Sequence, residues 1–131
     1  MIPYEFIYSF TSTILQIDKA IRWVGITNKE GLIINEKYRK DMSPLLTEEE
    51  NEEYASNAIS RQRTRIKFEQ KIGKLIYAFG KYEKINRATI PITSNYFLLL
   101  SMDPLDLNFD QIIMGKILPL IKENKEQFIT I

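Results

Sequence analysis

The sequence contains no cysteine and no histidine. The first absence excludes disulfides, thiolate metal sites and cysteine nucleophiles. The second removes the commonest general base, the Ser-His-Asp triad and most zinc sites. Neither sign of charge is in excess: 18 Lys and Arg stand against 17 Asp and Glu, a net charge of +1. No overall field is available to hold nucleic acid or an anionic membrane. Long apolar runs are missing too. Residues 96–100 and 112–121 fall short of the ~18–20 residues of a bilayer span, and Lys116 and Pro119 interrupt the second. The start, MIPYEFIYSF, has no basic region and no small-residue cleavage site, so no secretory signal is expected and the chain reads as cytoplasmic. Glycine is sparse: Gly25, Gly31, Gly73, Gly80 and Gly115 are too scattered for either glycine-rich phosphate motif.

What is present is an ordinary globular balance, 44% apolar and 27% charged over 131 residues. That length fits one domain, 1–131. Residues 3–18 predict a helix, with Pro3 in the first turn and Ile7, Phe10, Ile14 and Ile17 at helical spacing. Residues 21–27 and 32–38 predict a hairpin around Asn28-Lys29-Glu30-Gly31. Gly25 inside the first strand marks a bulge or a close approach by another backbone. Thr47-Glu48-Glu49-Glu50 is a capping box, and a helix is expected from about Glu48 to Ile72, ended by Gly73. Its glutamates crowd the N-terminal end. Arg61, Arg63, Arg65, Lys67, Lys71 and Lys74 crowd the other, both in the sense the helix dipole favours. Residues 75–81, 85–92 and 96–102 predict three strands. Pro91 belongs at a strand end or edge, and the apolar run Tyr96–Leu100 belongs to a central strand covered on both faces, with Leu98 and Leu100, or Phe97 and Leu99, buried. A last helix starts near Asn108, and Pro119 is expected to kink or end it.

The order α-β-β-α-β-β-β-α describes an α/β (α+β) sandwich: a five-stranded antiparallel sheet with one long helix and two flanking helices. That order resembles the roadblock/LC7 domain, a profilin-like fold. Ile17-Asp18-Lys19-Ala20-Ile21-Arg22, Glu69-Gln70-Lys71-Ile72-Gly73-Lys74 and Leu98-Leu99-Leu100-Ser101 also resemble motifs of a family of small uncharacterised archaeal proteins. That family transfers no catalytic residues. The roadblock resemblance implies a non-enzymatic, homodimeric interaction or regulatory module, a scaffold or regulator for a small GTPase or another signalling partner. The alternative is a small-ligand sensor of PAS or Cache type.

The residue inventory supplies no catalytic, cofactor-binding or metal site, so no enzyme and no cofactor is expected. Glu48, Glu49, Glu50, Glu52 and Glu53 read as metal ligands, as paired acid/base carboxylates or as a solvated helix start, and the last is the simplest reading. The basic run 61–74 lacks spaced aromatics for base stacking, so no nucleic acid and no membrane partner is expected. Tyr77, Phe79, Tyr82, Tyr96 and Phe97 line a ligand pocket or simply pack. Trp23 is an interface anchor or a core residue.

Assembly is the sharpest expectation. A helix of about 25 residues measures ~37 Å, whereas seven-residue strands reach ~23 Å, so one end overhangs its own sheet. Two copies placed antiparallel would set the acidic end of one helix against the basic end of the other. The expected dimer interface comprises Tyr54, Ala55, Ala58, Ile59, Arg61, Arg65 and Ile66. Third-strand pairing, which the roadblock resemblance implies, adds Leu75, Tyr77 and Phe79. The protein partner itself is unidentified.

Overall fold

The apolar strand β5 (Tyr96–Met102) lies at the centre of the molecule, between β1 (Ile21–Asn28) and β4 (Asn86–Pro91). The order is completed by β2 (Ile33–Tyr38) outside β1 and β3 (Ala78–Lys81) outside β4, and every neighbouring pair is antiparallel. The structure, a computed structural model, describes residues 3–105 and 107–129. Leu98, Leu99 and Leu100 are all buried, as their unbroken apolar run requires.

Helices cover both faces. On one face α1 (Tyr4–Gln16) and the C-terminal helical segment enclose the main core, in which Ile7, Phe10 and Ile14 meet Val24, Ile26, Leu98, Leu100, Ile113 and Phe128. On the other face α2 (Glu48–Arg65) sets Ala55 and Ala58 against Trp23 and Leu99. The two small residues let helix and sheet approach closely. Thr47 caps α2: its side chain accepts from the Glu50 N–H at 3.1 Å, and the Glu50 carboxylate accepts from the Thr47 N–H at 2.9 Å.

The hairpin turn carries Gly31 at φ +86°, and a Cβ there would come within 2.7 Å of the Ser56 backbone. Glycine therefore serves both the turn and the contact with α2. Gly25 meets a different neighbour from the one expected. The nearest atoms belong to a side chain: a Cβ would lie 2.6 Å from the Trp23 indole, which lies across it. The bulges of β1 fall on either side, between Ile21 and Trp23 and between Ile26 and Thr27. The first reverses the strand's alternation, so that Ile21 joins the main core while Trp23 turns toward α2.

Three boundaries differ from expectation. The long helix is not one α-helix to Ile72: α2 ends at Arg65, a 3₁₀ turn covers Ile66–Phe68, and α3 spans Glu69–Ile72. These residues lie past the sheet contact, and without tertiary packing the turn tightens. β3 begins at Ala78, not Leu75, because its ladder with β4 starts at the Ala78–Thr89 pair. Pro119 does not end its helix. α4 (Phe109–Ile112) passes through a π-turn at Ile113–Ile117 into α5 (Leu118–Ile129). The wider turn relieves the clash of a proline ring with the carbonyl four residues earlier, that of Gly115.

Candidate functional site

The space between α2 and the sheet is partly polar. Arg87 on β4 is 5% exposed, and β4's alternation sends it toward α2 while Ala88 and Ile90 enter the main core. Its guanidinium lies over the rings of Tyr54, 4.1 Å from the centroid, and Trp23, 4.9 Å away. Its Nη2 donates to the Asn51 Oδ1 at 3.1 Å. The Asn51 Nδ2 in turn donates to the Glu36 Oε1 at 3.4 Å, and the Trp23 Nε1 donates to the same oxygen at 2.9 Å. Ion pairs join Asp103 to Arg22 and Arg39, and Asp18 to Lys116; none of these involves Arg87. A buried cation is thus held by two aromatic faces and an amide, with a carboxylate one step removed.

Burial lowers the Arg87 pKa, while the neighbouring tyrosines act in the opposite sense. Burial, and then a hydrogen bond shared with Tyr82 at 3.2 Å, raises the Tyr54 pKa to about 12. Tyr77, on the opposite side of the sheet, is also raised to about 12, chiefly because its hydroxyl donates to Asp110. Burial raises Tyr38 as well. All three shifts keep these phenols neutral far above physiological pH, so they supply no base there.

The residues expected at a dimer interface divide into two groups. Ala55, Ala58 and Ile59 are each at most 1% exposed. They face the sheet of their own chain, so they are withdrawn from any contact with a second copy. Arg61, Arg65 and Ile66 are exposed, and Tyr54 is half-buried beside them with Arg61 over its ring at 5.7 Å. Leu75, Tyr77 and Phe79 are half-buried; Tyr77 and Phe79 pack toward the main core, where Phe79 stacks on Phe109. The outer edge of β3 remains open along the backbone. From the end of α2 to that edge runs a series of exposed apolar residues: Ile66, Phe68, Ile72 and Ile76, between 53% and 83% exposed.

Trp23 is a core residue, 2% exposed. Glu48, Glu49, Glu50, Glu52 and Glu53 are exposed at the helix start, and no group of three or more potential metal ligands occurs among the described residues. No described helix is long and apolar enough to cross a membrane. Of the five aromatics considered for a ligand pocket, Tyr77, Phe79 and Tyr96 pack against the main core, and Tyr82 is exposed beside Tyr54. Phe97 lines a groove on the opposite face. The space that a PAS-type sensor would leave between sheet and helices is filled by Phe10, Ile113 and Phe128. Sequence reasoning missed Arg87, Asn51 and Glu36. Their signal was indirect: a central strand covered on both faces implies that polar residues of its neighbours are covered too.

No protein family model matches the chain, and no curated protein matches it. Solved structures do. MglB of Myxococcus xanthus superposes with a TM-score of 0.74 at 14% identity, over 98% of this chain and 98% of its own. A roadblock/LC7 domain from Streptomyces avermitilis gives 0.71 at 11% identity, over 93% and 97%. An MglB with tetrameric arrangement gives 0.65 at 16% identity, over 92% and 91%. The five-stranded antiparallel sheet and its helices therefore have the roadblock/LC7 fold.

Proposed function

We propose that this chain is a non-enzymatic, homodimerising interaction module that presents a composite surface to a signalling protein. The observation that carries this reading is the exposed apolar series Ile66, Phe68, Ile72 and Ile76, which joins the end of the helical arm to the open edge of β3. Large apolar side chains exposed together in one stretch of chain mark an interaction surface. A second copy related by a two-fold axis would cover it, with β3 edges paired and the two α2 helices antiparallel. Glu49 and Glu53 of one copy would then face Arg61 and Arg65 of the other. The tetrameric arrangement of one MglB with this fold supports self-assembly. A small GTPase is the partner class that the roadblock resemblance implies.

Sedimentation velocity between 1 and 100 μM tests the assembly, a range in which ordinary interfaces dissociate measurably. A dimer is expected, weakened about tenfold by Arg61→Glu with Arg65→Glu and partly restored by adding Glu49→Arg with Glu53→Arg. A monomer throughout the range, unaffected by these changes, removes the proposal.

A further inference from the structure

Beneath the C-terminal half of α2, across one end of the sheet, lies a groove of about 690 Å³. That volume is in the range of small-molecule sites, ~300–1,000 Å³. Ile59, Ile92, Pro91 and Phe97 give it apolar walls. Its cations come from four parts of the chain: Lys29 on the hairpin turn, Arg63 and Arg65 on α2, Lys74 before β3, and Lys125 on α5. Two carboxylates, Glu30 and Glu69, oppose these five cations. The groove is therefore electropositive although the chain as a whole carries a net charge of only +1.

Gln62 lines the same groove and is 7% exposed. Its Oε1 accepts from the Arg65 Nη1 at 3.4 Å. Its Nε2 is buried without a partner among the described residues. A buried amide donor without an acceptor destabilises the fold around it. The atom has almost no accessible surface, so an acceptor in the groove pairs with it when the amide turns outward.

We infer that this groove binds a small anionic amphiphile, an apolar chain or ring system ending in a carboxylate. The apolar body lies along Phe97 and Ile92, the carboxylate accepts from the Gln62 Nε2 once that amide turns outward into the groove, and Arg63, Lys29 and Lys125 supply the surrounding positive potential. A cationic amphiphile of the same length gains the apolar contact but meets repulsion and offers Gln62 no acceptor.

Decanoate and decyltrimethylammonium, compared on the ¹⁵N-labelled full chain below their micellar concentrations, are suitable probes. Saturable decanoate binding is expected by about 1 mM, with the Gln62 side-chain amide among the shifted signals. Decyltrimethylammonium is expected to bind at least tenfold more weakly. Gln62→Leu should weaken decanoate about tenfold by deleting a charge-assisted hydrogen bond. The surface pair Lys29→Glu with Lys125→Glu should weaken it by at least as much, and leaves the buried packing untouched. Equal binding of both probes, or no saturation with decanoate, overturns the inference. So do Gln62 shifts that follow protein concentration alone, because a second copy would then occupy the groove. Sedimentation of the same samples reports assembly separately, so failure here is distinguishable from failure of the dimer.

Discussion

The Arg87 guanidinium lies 4.1 Å from the centroid of the Tyr54 ring, so that a strand residue and a helix residue share one buried charge contact. The pair joins β4 to α2. It also leaves the Asn51 amide with no freedom, because its oxygen faces Arg87 and its nitrogen faces Glu36.

Removing one member should therefore strand another. Arg87→Met leaves the Asn51 oxygen buried and unpaired, and Asn51→Leu leaves the guanidinium without its amide acceptor. Each is expected to lower stability by about 1–3 kcal/mol. The double variant should lose clearly less than the sum, because both partners are then apolar. Urea unfolding of the three variants measures this coupling; additive losses would refute the shared network.

Gly25→Ala places a methyl group where the Trp23 indole lies, 2.6 Å away. The ring is wedged between sheet and helix, so the cost is expected at about 1–3 kcal/mol, with a red shift in tryptophan emission. In a Trp23→Leu background the same substitution should cost almost nothing. A similar penalty in both backgrounds would place the conflict elsewhere.

Thr47→Ala removes half of the capping box and is expected to cost about 0.5–2 kcal/mol, whereas Thr47→Asp should retain most of the stability. Thermal melts that fail to separate the Ala and Asp variants would contradict the cap at Thr47.

Alkaline stability follows from the tyrosines. Tyr54 and Tyr77 are raised to about 12 in the folded chain, against an ordinary value of 10.0. Between these values the unfolded chain loses protons that the folded chain keeps, so the folded state binds more protons and stability falls as pH rises. Their contribution is complete below pH 10 and is lost toward pH 12. A subset of the seven tyrosines should titrate late by ultraviolet absorbance. Tyr54→Phe and Tyr77→Phe should each remove part of that late phase; titrations unchanged by both would contradict the shifts.

Much of the fold was legible because local and global signals agree in it. The run Tyr96–Leu100 has no polar residue, so it had to be the central strand, and Thr47 with Glu50 fixed the start of α2 through hydrogen bonds local to one turn. The errors arose where tertiary contact decides. Gly73 marked the end of the helical arm, but the 3₁₀ turn at Ile66–Phe68 reflects loss of the sheet beneath it. Pro119 announces a disruption without saying whether the helix stops or widens. The candidate site was less legible still. Ala55 and Ala58 have the small size that suits contact with a second helix, yet the same size suits contact with their own sheet. Arg87 alternates with Ala88 and Ile90 like a solvent-facing residue, and the helix that covers it comes from more than twenty residues earlier.

The pairing of β1 with β5 has a consequence for how the molecule is made. The central strand, residues 96–102, pairs on one side with residues 21–28, so this seam of the sheet joins segments far apart in the chain. During vectorial synthesis, Val24 and Ile26 emerge long before Leu98 and Leu100 exist to cover them. The hairpin β1–β2 can form early, but its inner edge stays open until β5 has left the ribosome. Loop closure over some seventy residues must then precede the consolidation of the core, which costs more chain entropy than the three local pairings β1–β2, β3–β4 and β4–β5. Nascent chains halted before residue 96 would expose that edge to any other strand at hand, and a holding chaperone would find its natural client there.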